Sequence, residues 1–247
     1  MSDDEKFQAF YAQEAAVYEQ TRYETRYGRL FRKLHHHILD NVLSDIGRDG
    51  RCLEVACGTG HTTQVLVKHF NKLTACDLTP EMMSKNKFGS DPEQVTCLQA
   101  NAFSLPFPDN SFDVLVSTRF LHLFEWHDQQ RLFQEFNRVL APGGQLIVDF
   151  DNMIARWFYV IPHVLYNLIR YKRLAPFSIY NLPGKTCRSI EHAGFSHARA
   201  QGIAGWHLVL AARLSETFAF RAGLWHRKAP LKFLAEQYLI TATKPAP

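Results

Sequence analysis

Long apolar runs are missing from this sequence. No stretch is long and uncharged enough to cross a bilayer, which argues against a membrane-spanning protein. Cysteine is sparse and unpatterned: there are five, an odd number, and none forms a C-x-x-C pair. That excludes a disulfide framework and offers no zinc ribbon. Cys52, Cys57 and Cys76 lie in or beside apolar runs, so cysteine reads as a small hydrophobe in a reduced, cytoplasmic protein. Blocks of like charge are also absent. Lys and Arg number 28 against 24 Asp and Glu, a net +4 that is scattered along the chain and argues little for a nucleic-acid partner. The first 20 residues are polar and start acidic, unlike a secretory leader. No repeat or low-complexity tract appears. What remains is ordinary globular composition, 46% hydrophobic over 247 residues, enough for one substantial core with an insertion.

The stretch that organises the chain runs from Arg51 to Asp77. Cys52–Ala56 is a short apolar run of the kind found in inner parallel strands. A small-residue turn follows, Ala56-Cys57-Gly58-Thr59-Gly60, then a segment with helical character from His61 to Phe70. A second apolar run, Leu73 to Cys76, ends at Asp77. This is one βαβ unit, and such units bind ligands at the carboxyl ends of their strands. The third glycine of the dinucleotide fingerprint G-x-G-x-x-G is missing. Small residues occupy every second position instead, at Ala56, Gly58 and Gly60. Glu54, inside the first strand, would repel a pyrophosphate and suit a cationic or amine-bearing ligand. An acid at Asp77 can accept from two ribose hydroxyls. Together these features predict a bound adenosine.

The segment resembles motif I of the class I S-adenosylmethionine-dependent methyltransferases, E/D-x-G-x-G-x-G, with Ala56 in place of the first glycine. Two further blocks resemble that family in order. One is Leu105-Pro106-Phe107-Pro108-Asp109-Asn110-Ser111-Phe112-Asp113, leading into Val114–Ser117. The other is Arg138-Val139-Leu140-Ala141-Pro142-Gly143-Gly144-Gln145-Leu146-Ile147-Val148. With the segments between them they span Cys52 to Phe150, and they are most similar to the ubiquinone and menaquinone biosynthesis branch. The resemblance implies an α/β, Rossmann-like, doubly wound sheet of seven strands. The sheet would be mostly parallel with an antiparallel last strand, carrying an N-terminal helical lid and helical cap insertions.

The resemblance also assigns roles. Glu54, Ala56, Gly58 and Gly60 would shape the amino-acid end of an S-adenosyl-L-methionine site. Asp77 would take the ribose. Leu78 and Met82 (or Met83) would wall the adenine, whose amino group would meet Asn101 where the family usually has Asp, with Ala102 and Phe103 beside it. The backbone of Ser117 would line the methionine end. Thr118 to Leu123 would border the reaction cavity, with His122 as general base and Arg119 near it. Tyr18, with Tyr11, Tyr23 and Tyr27, would face the methyl donor from the lid, or simply pack on the sheet.

Along the chain, helices are predicted over residues 3–20 and Arg29–Ile46, joined by a polar-aromatic connection at Thr21–Tyr27. His35-His36-His37 suggests a metal, but consecutive helical positions point about 100° apart and cannot converge on one ion. Thr79 reads as an N-cap with Pro80 at the first helical position. Strands are predicted at Val95–Ala100, Val114–Ser117, Gln145–Phe150, His197–Ile203 and Gln237–Thr243. Further helices fall at Asp128–Leu140 and Lys185–Ala193. Asp113 reads as a residue of the fold, and the tail from Lys244 as frayed. The organisation expected is a single domain: a helical arm over 1–47, a cofactor core over 48–150, cap segments at 151–182 and 206–234, and a last strand and tail over 235–247. The aromatic and basic stretch 154–173 fits a lid over a lipophilic small-molecule substrate, or peripheral membrane contact. Nucleic-acid methylation lacks support, because the D/N-P-P-Y signature does not follow the fourth strand. An NAD-dependent oxidoreductase and a catalytically silent cofactor-binding protein are the alternative readings.

Overall fold

The computed structural model describes residues 3–86, 93–152, 181–203, 208, 215–224 and 235–246. The elements in order are α1 (Asp3–Glu14), α2 (Tyr18–Arg22), α3 (Arg26–Leu43), β1 (Cys52–Val55), α4 (Thr63–His69), β2 (Leu73–Asp77) and α5 (Pro80–Met83). There follow β3 (Val95–Gln99), β4 (Phe112–Ser117), α6 (Trp126–Val139), β5 (Leu140–Asp151), α7 (Pro183–His192), β6 (Ser196–Ile203), α8 (Glu216–Leu224) and β7 (Gln237–Thr243). The strands form one seven-stranded sheet in the order β3-β2-β1-β4-β5-β7-β6. Pairing is parallel from β3 across to β5, and β7 runs antiparallel to both β5 and β6. The expected doubly wound sheet with an antiparallel last strand is therefore present.

Both faces of the sheet are covered, which is why the inner strands read as continuous apolar runs rather than as alternating ones. Alternate side chains enter opposite cores. Cys52, Val114, Val116, Ile147 and Leu239 pack with Leu34, Ile38 and Leu39 of α3, Val65 and Leu66 of α4, and Ala219 of α8. Leu53, Val55, Leu115, Leu146, Val148, Phe150 and Tyr238 pack with Leu132, Phe133 and Phe136 of α6 and Ile190 of α7. Helix α3 keeps its start with the Thr25 side chain, which accepts from the Gly28 N–H at 2.9 Å.

Several boundaries differ from expectation. The helix predicted from His61 begins at Thr63, because Ala56 to Thr62 are drawn into the turn above β1. The connection predicted at Thr21–Tyr27 shrinks to Tyr23–Thr25 between α2 and α3. Strand β5 starts at Leu140, so Pro142-Gly143-Gly144 forms not a loop but an irregular strand entry. Phe112 pairs Leu140 and Val114 pairs Gln145, leaving extra residues on β5. Thr79 makes no side-chain cap, although Pro80 does open its helix. Lys244 itself is tied down: its backbone bonds Gly143 and Gly144, and its ammonium donates to Asn110, Asn137 and Leu140, while Pro245 and Ala246 after it are exposed. Asp113 serves the fold as expected, accepting from the Arg51 backbone at 2.8 Å and from its guanidinium at 3.0 and 2.9 Å, where β1 and β4 start. Most of 151–182 and 206–234, and all of 154–173, lie outside the described residues. No helix among the described residues is long and apolar enough to cross a membrane.

Candidate active site

A cleft of about 990 Å³, measured to its open mouth, lies over the carboxyl ends of β1, β2, β3 and β4. The strand order reverses direction between β1 and β4, and that is where a doubly wound sheet leaves a crevice. One wall is the turn after β1, Glu54 to Thr59 with His61 and Thr62. Asp77 to Thr79 and Met82 follow β2, Ala100 to Phe103 follow β3, and Thr118 to Phe120 follow β4. The opposite wall comes from the N-terminal helices, through Phe7, Gln8, Tyr11, Tyr18 and Tyr23.

The turn after β1 is held by unusual backbone. Ala56 sits at φ +60°, Gly58 at +51° and Gly60 at +87°. For Gly58 and Gly60 the left-handed region is free of Cβ strain, whereas Ala56 occupies it at a cost of about 1–2 kcal/mol. Gly60 does not line the cleft. Its φ of +87° favours glycine, and a Cβ there would come 2.2 Å from Asn86 Oδ1, so that side chain would have to move. Asp77 fixes the turn from β2: its carboxylate accepts from the Gly58 N–H at 2.9 Å and the Thr79 N–H at 2.8 Å. Burial raises the Asp77 pKa, and these N–H bonds oppose the rise. Each carboxylate oxygen has two lone pairs, so acceptor capacity remains toward the cleft.

Glu54 behaves differently from the free carboxylate expected. It is 2% exposed, accepts from Thr63 Oγ1 at 2.7 Å, and its pKa is pushed up to about 8, chiefly by burial. It therefore enters the cleft wall as a protonated acid near neutral pH. Asn101 Oδ1 accepts from the Phe103 N–H at 2.9 Å, so the side chain shapes its own turn as well as lining the cleft. Met82, rather than Met83, reaches the wall, and Met83 packs in the core beneath. Leu78, Ala102 and Phe103 line the cleft too.

Two expected site residues are displaced. Ser117 is fully buried behind the wall, with Thr118 facing the cleft in its place and bonded to Thr62. His122 lies in a 3-10 turn, Leu121–Leu123, and is not among the lining residues. Sequence reasoning also passed over His61, which does line the cleft. Its ring stacks on Tyr23 with centroids 4.3 Å apart and planes 5° from parallel. Only its place directly after Gly60 pointed to it.

The helical wall is aromatic. Tyr11 and Tyr18 lie 6.4 Å apart, and Tyr18 and Tyr23 6.3 Å. Burial raises the Tyr23 phenol and pushes Tyr11 up to about 12, so both stay protonated. Glu19 of α2 accepts a short hydrogen bond from Thr59, fastening this wall to the turn after β1. Tyr27 turns away to Glu236 and does not line the cleft. Arg119 also lines the cleft. Burial alone would lower its guanidinium, yet the Asp151 carboxylate and the neighbours around it hold it above its ordinary pKa. Of the three consecutive histidines, His35 and His36 both pack against the His61 ring, at 5.2 and 4.6 Å between centroids, while His37 turns to the Phe220 ring. Among the described residues no group of His, Cys, Asp and Glu could hold a metal ion.

The fold and cleft define a Rossmann-like α/β protein whose site is built for a nucleoside. Residues 53–148 match the methyltransferase domain family. A demethylmenaquinone methyltransferase of Staphylococcus aureus is 33% identical over 194 residues, with 68% of this chain and 79% of that protein covered. A malonyl-[acyl-carrier protein] O-methyltransferase of Herminiimonas arsenicoxydans is 29% identical over 60% of this chain; the match spans 54% of that protein, about half its length. The chain bound to the Trm112 methyltransferase activator in a Haloferax volcanii complex shares the fold, with a TM-score of 0.66 at 16% identity over 100% of this chain and 99% of that one. The chain belongs to the class I S-adenosylmethionine-dependent methyltransferases.

The residues present fit that cofactor. Gly58 and Met82 share one part of the wall, and a Cβ on Gly58 would stand 3.6 Å from Met82 Cε, so bare backbone keeps that space. Asp77 offers acceptors for a pair of hydroxyls, and Met82 and Phe103 offer apolar surface for a planar ring.

Proposed function

We propose that this methyltransferase acts on a small, lipophilic or aromatic acceptor, at oxygen or carbon, and that the cleft residues divide the work as follows. Asp77 binds the ribose hydroxyls. Leu78, Met82, Ala102 and Phe103 enclose the adenine, with Asn101 at its polar edge. Glu54, Ala56 and Gly58 bound the amino-acid end. When bound, the cofactor supplies an already activated methyl group, so the protein's main task is alignment of the acceptor, worth several kcal/mol.

Tyr11, Tyr18 and Tyr23 exclude water from the reacting end. Their ring faces contribute about 0.5–2 kcal/mol toward a cationic sulfur. Arg119 stands at the acceptor side. The lipophilic acceptor class is supported by Phe7, Phe120, Leu123 and Phe124, apolar lining residues that the nucleoside does not use. The quinone precursor in the name of the Staphylococcus aureus relative points the same way. The observation that carries the reading is one cleft bringing Asp77 and the turn after β1 face to face with a tyrosine-bearing helical wall. Calorimetric titration with S-adenosylmethionine and, in parallel, with NAD tests it. Micromolar binding of the first and none of the second is expected; the reverse would sink it. Methyl transfer to a panel of naphthols and hydroquinones then tests the acceptor class.

A further inference from the structure

We propose that Arg119 anchors an anionic oxygen of the methyl acceptor, with Asp149, Asp151 and His35 as positioning residues behind it. This rests on the methyltransferase reading and adds to it the chemical class of acceptor and the group that holds it.

Four observations converge. Arg119 is a non-glycine residue at φ +60°, a conformation that persists only where its surroundings impose it. The imposing group is Asp149 of β5, whose Oδ1 accepts from the Arg119 N–H at 2.6 Å. From the rear of the guanidinium, Asp151 Oδ1 stands 3.6 Å from Nη1, and the Phe31 ring lies beneath it at 5.8 Å. Both carboxylates are 1% exposed and neither lines the cleft, whereas the Arg119 side chain keeps 23% exposure and does line it. His35 of α3 lies behind Asp149, with Nε2 3.3 Å from Oδ2, a close contact without hydrogen-bond geometry.

The consequence for a ligand is specific. Among the described lining residues the charged types are Glu54, Asp77 and Arg119. Glu54 and Asp77 are acids that accept hydrogen bonds, so among these three only Arg119 carries a charge that attracts an anion. Arg119 Nε is buried and without a hydrogen-bond partner, so its forked donors are not saturated from within the protein. A planar guanidinium matches a carboxylate or phenolate better than any neutral oxygen. Tyr18 and Tyr23 lie close enough to interact with it electrostatically. An acceptor bound as its oxyanion brings its own lone pair. With the cofactor bound, it would supply the methyl group and its sulfur would take back the carbon–sulfur electron pair, so an acceptor held by Arg119 as its oxyanion would need no proton removed at that moment. This accounts for a cleft in which His122 is off the wall.

Carboxylates at this position have two sources, the acceptor and the amino-acid end of the cofactor, and the test separates them. The purified chain, with and without saturating S-adenosylhomocysteine, is titrated with 2-naphthoate and with 2-naphthylmethanol. Wild type should bind the acid at least tenfold more tightly than the alcohol. Arg119→Met should abolish that preference, and Arg119→Lys, which is safer for folding, should reduce it severalfold. Asp149→Asn and His35→Gln should weaken the acid three- to tenfold with the alcohol unmoved, which general loosening would not do. His122→Gln should change neither. A wild type indifferent to acid and alcohol, or a preference that survives both Arg119 variants, overturns the proposal. So does loss of S-adenosylhomocysteine affinity in Arg119→Lys with 5′-methylthioadenosine binding intact, because the anion would then be the cofactor's. Failure of wild type to bind either nucleoside overturns the methyltransferase reading instead, and the titrations without nucleotide still decide Arg119.

Discussion

Replacing Asp77 by Asn probes the residue on which the nucleoside assignment turns. The change preserves shape and removes charge. In the native protein the carboxylate accepts from the Gly58 and Thr79 N–H groups at 2.9 and 2.8 Å. An Asn side chain offers one acceptor oxygen and turns its NH2 toward the other donor. One backbone N–H is then left unsatisfied in a buried setting, which costs about 1–3 kcal/mol of stability. Binding should suffer too. Hydrogen bonds from ribose hydroxyls to a carboxylate are each worth about 1.5–3 kcal/mol, and since Asn keeps one acceptor oxygen, loss of one amounts to about 1.5–3 kcal/mol. At about 1.4 kcal/mol per decade, affinity for S-adenosylhomocysteine should fall by about 10- to 10²-fold. Calorimetry measures the affinity and urea unfolding the stability. If stability drops as calculated while affinity stays within about threefold, Asp77 holds the turn only, and the ribose assignment is refuted.

Three other outcomes follow from the same geometry. Glu54 has a folded pKa of about 8 against an ordinary 4.5, so the folded state holds its proton more tightly than the unfolded chain. Its contribution is full below about pH 4.5 and is lost as pH rises to about 8, at roughly 1.4 kcal/mol per unit at most, a few kcal/mol in all. Urea midpoints across this range should decline in wild type and decline less in Glu54→Gln; parallel profiles would reject the assignment. Ala56→Gly should raise stability by about 0.5–1 kcal/mol, since relief of the left-handed strain outweighs the added chain entropy, and a lower unfolding midpoint would contradict this. Glu19→Gln should weaken the fastening of α2 to Thr59 and speed S-adenosylhomocysteine release up to about tenfold in stopped flow; an unchanged off-rate would show that the aromatic contacts alone close the cleft.

Much of the fold was legible because its signals are local. Inner strands buried on both faces must be apolar throughout, so β1, β2, β4 and β7 stand out as short runs of the right length. The breaker Pro142-Gly143-Gly144 marks where α6 stops, whereas α3 is expected only from Arg29 and its Thr25 cap goes unread. The glycine positions in the turn after β1 and the acid ending β2 are fixed by backbone requirements of one βαβ unit, so Gly58 and Asp77 could be read in order. Resemblance added the neighbours after β3 and β4, of which Asn101, Ala102, Phe103 and Arg119 reach the cleft. Ser117 and His122 are not among the lining residues: Ser117 ends its strand inside the core, and the direction of His122 in its turn depends on the packing behind it. That Gly60 answers to Asn86 rather than to a ligand is equally a matter of which segment lies above it.

The sequence by itself determined a doubly wound α/β protein, a nucleoside-type turn at Ala56–Gly60 and an acid at Asp77 to complete it, because these depend on residues close together in the chain. Only the tertiary structure decided that Glu54 is a buried, protonated acid, since desolvation is a property of everything packed around it. Only the tertiary structure joined Arg119, Asp149, Asp151 and His35, which come from the end of β4, from β5 and from α3. Charges so far apart in sequence acquire a common role when the sheet brings β4 beside β5 and lays α3 across them.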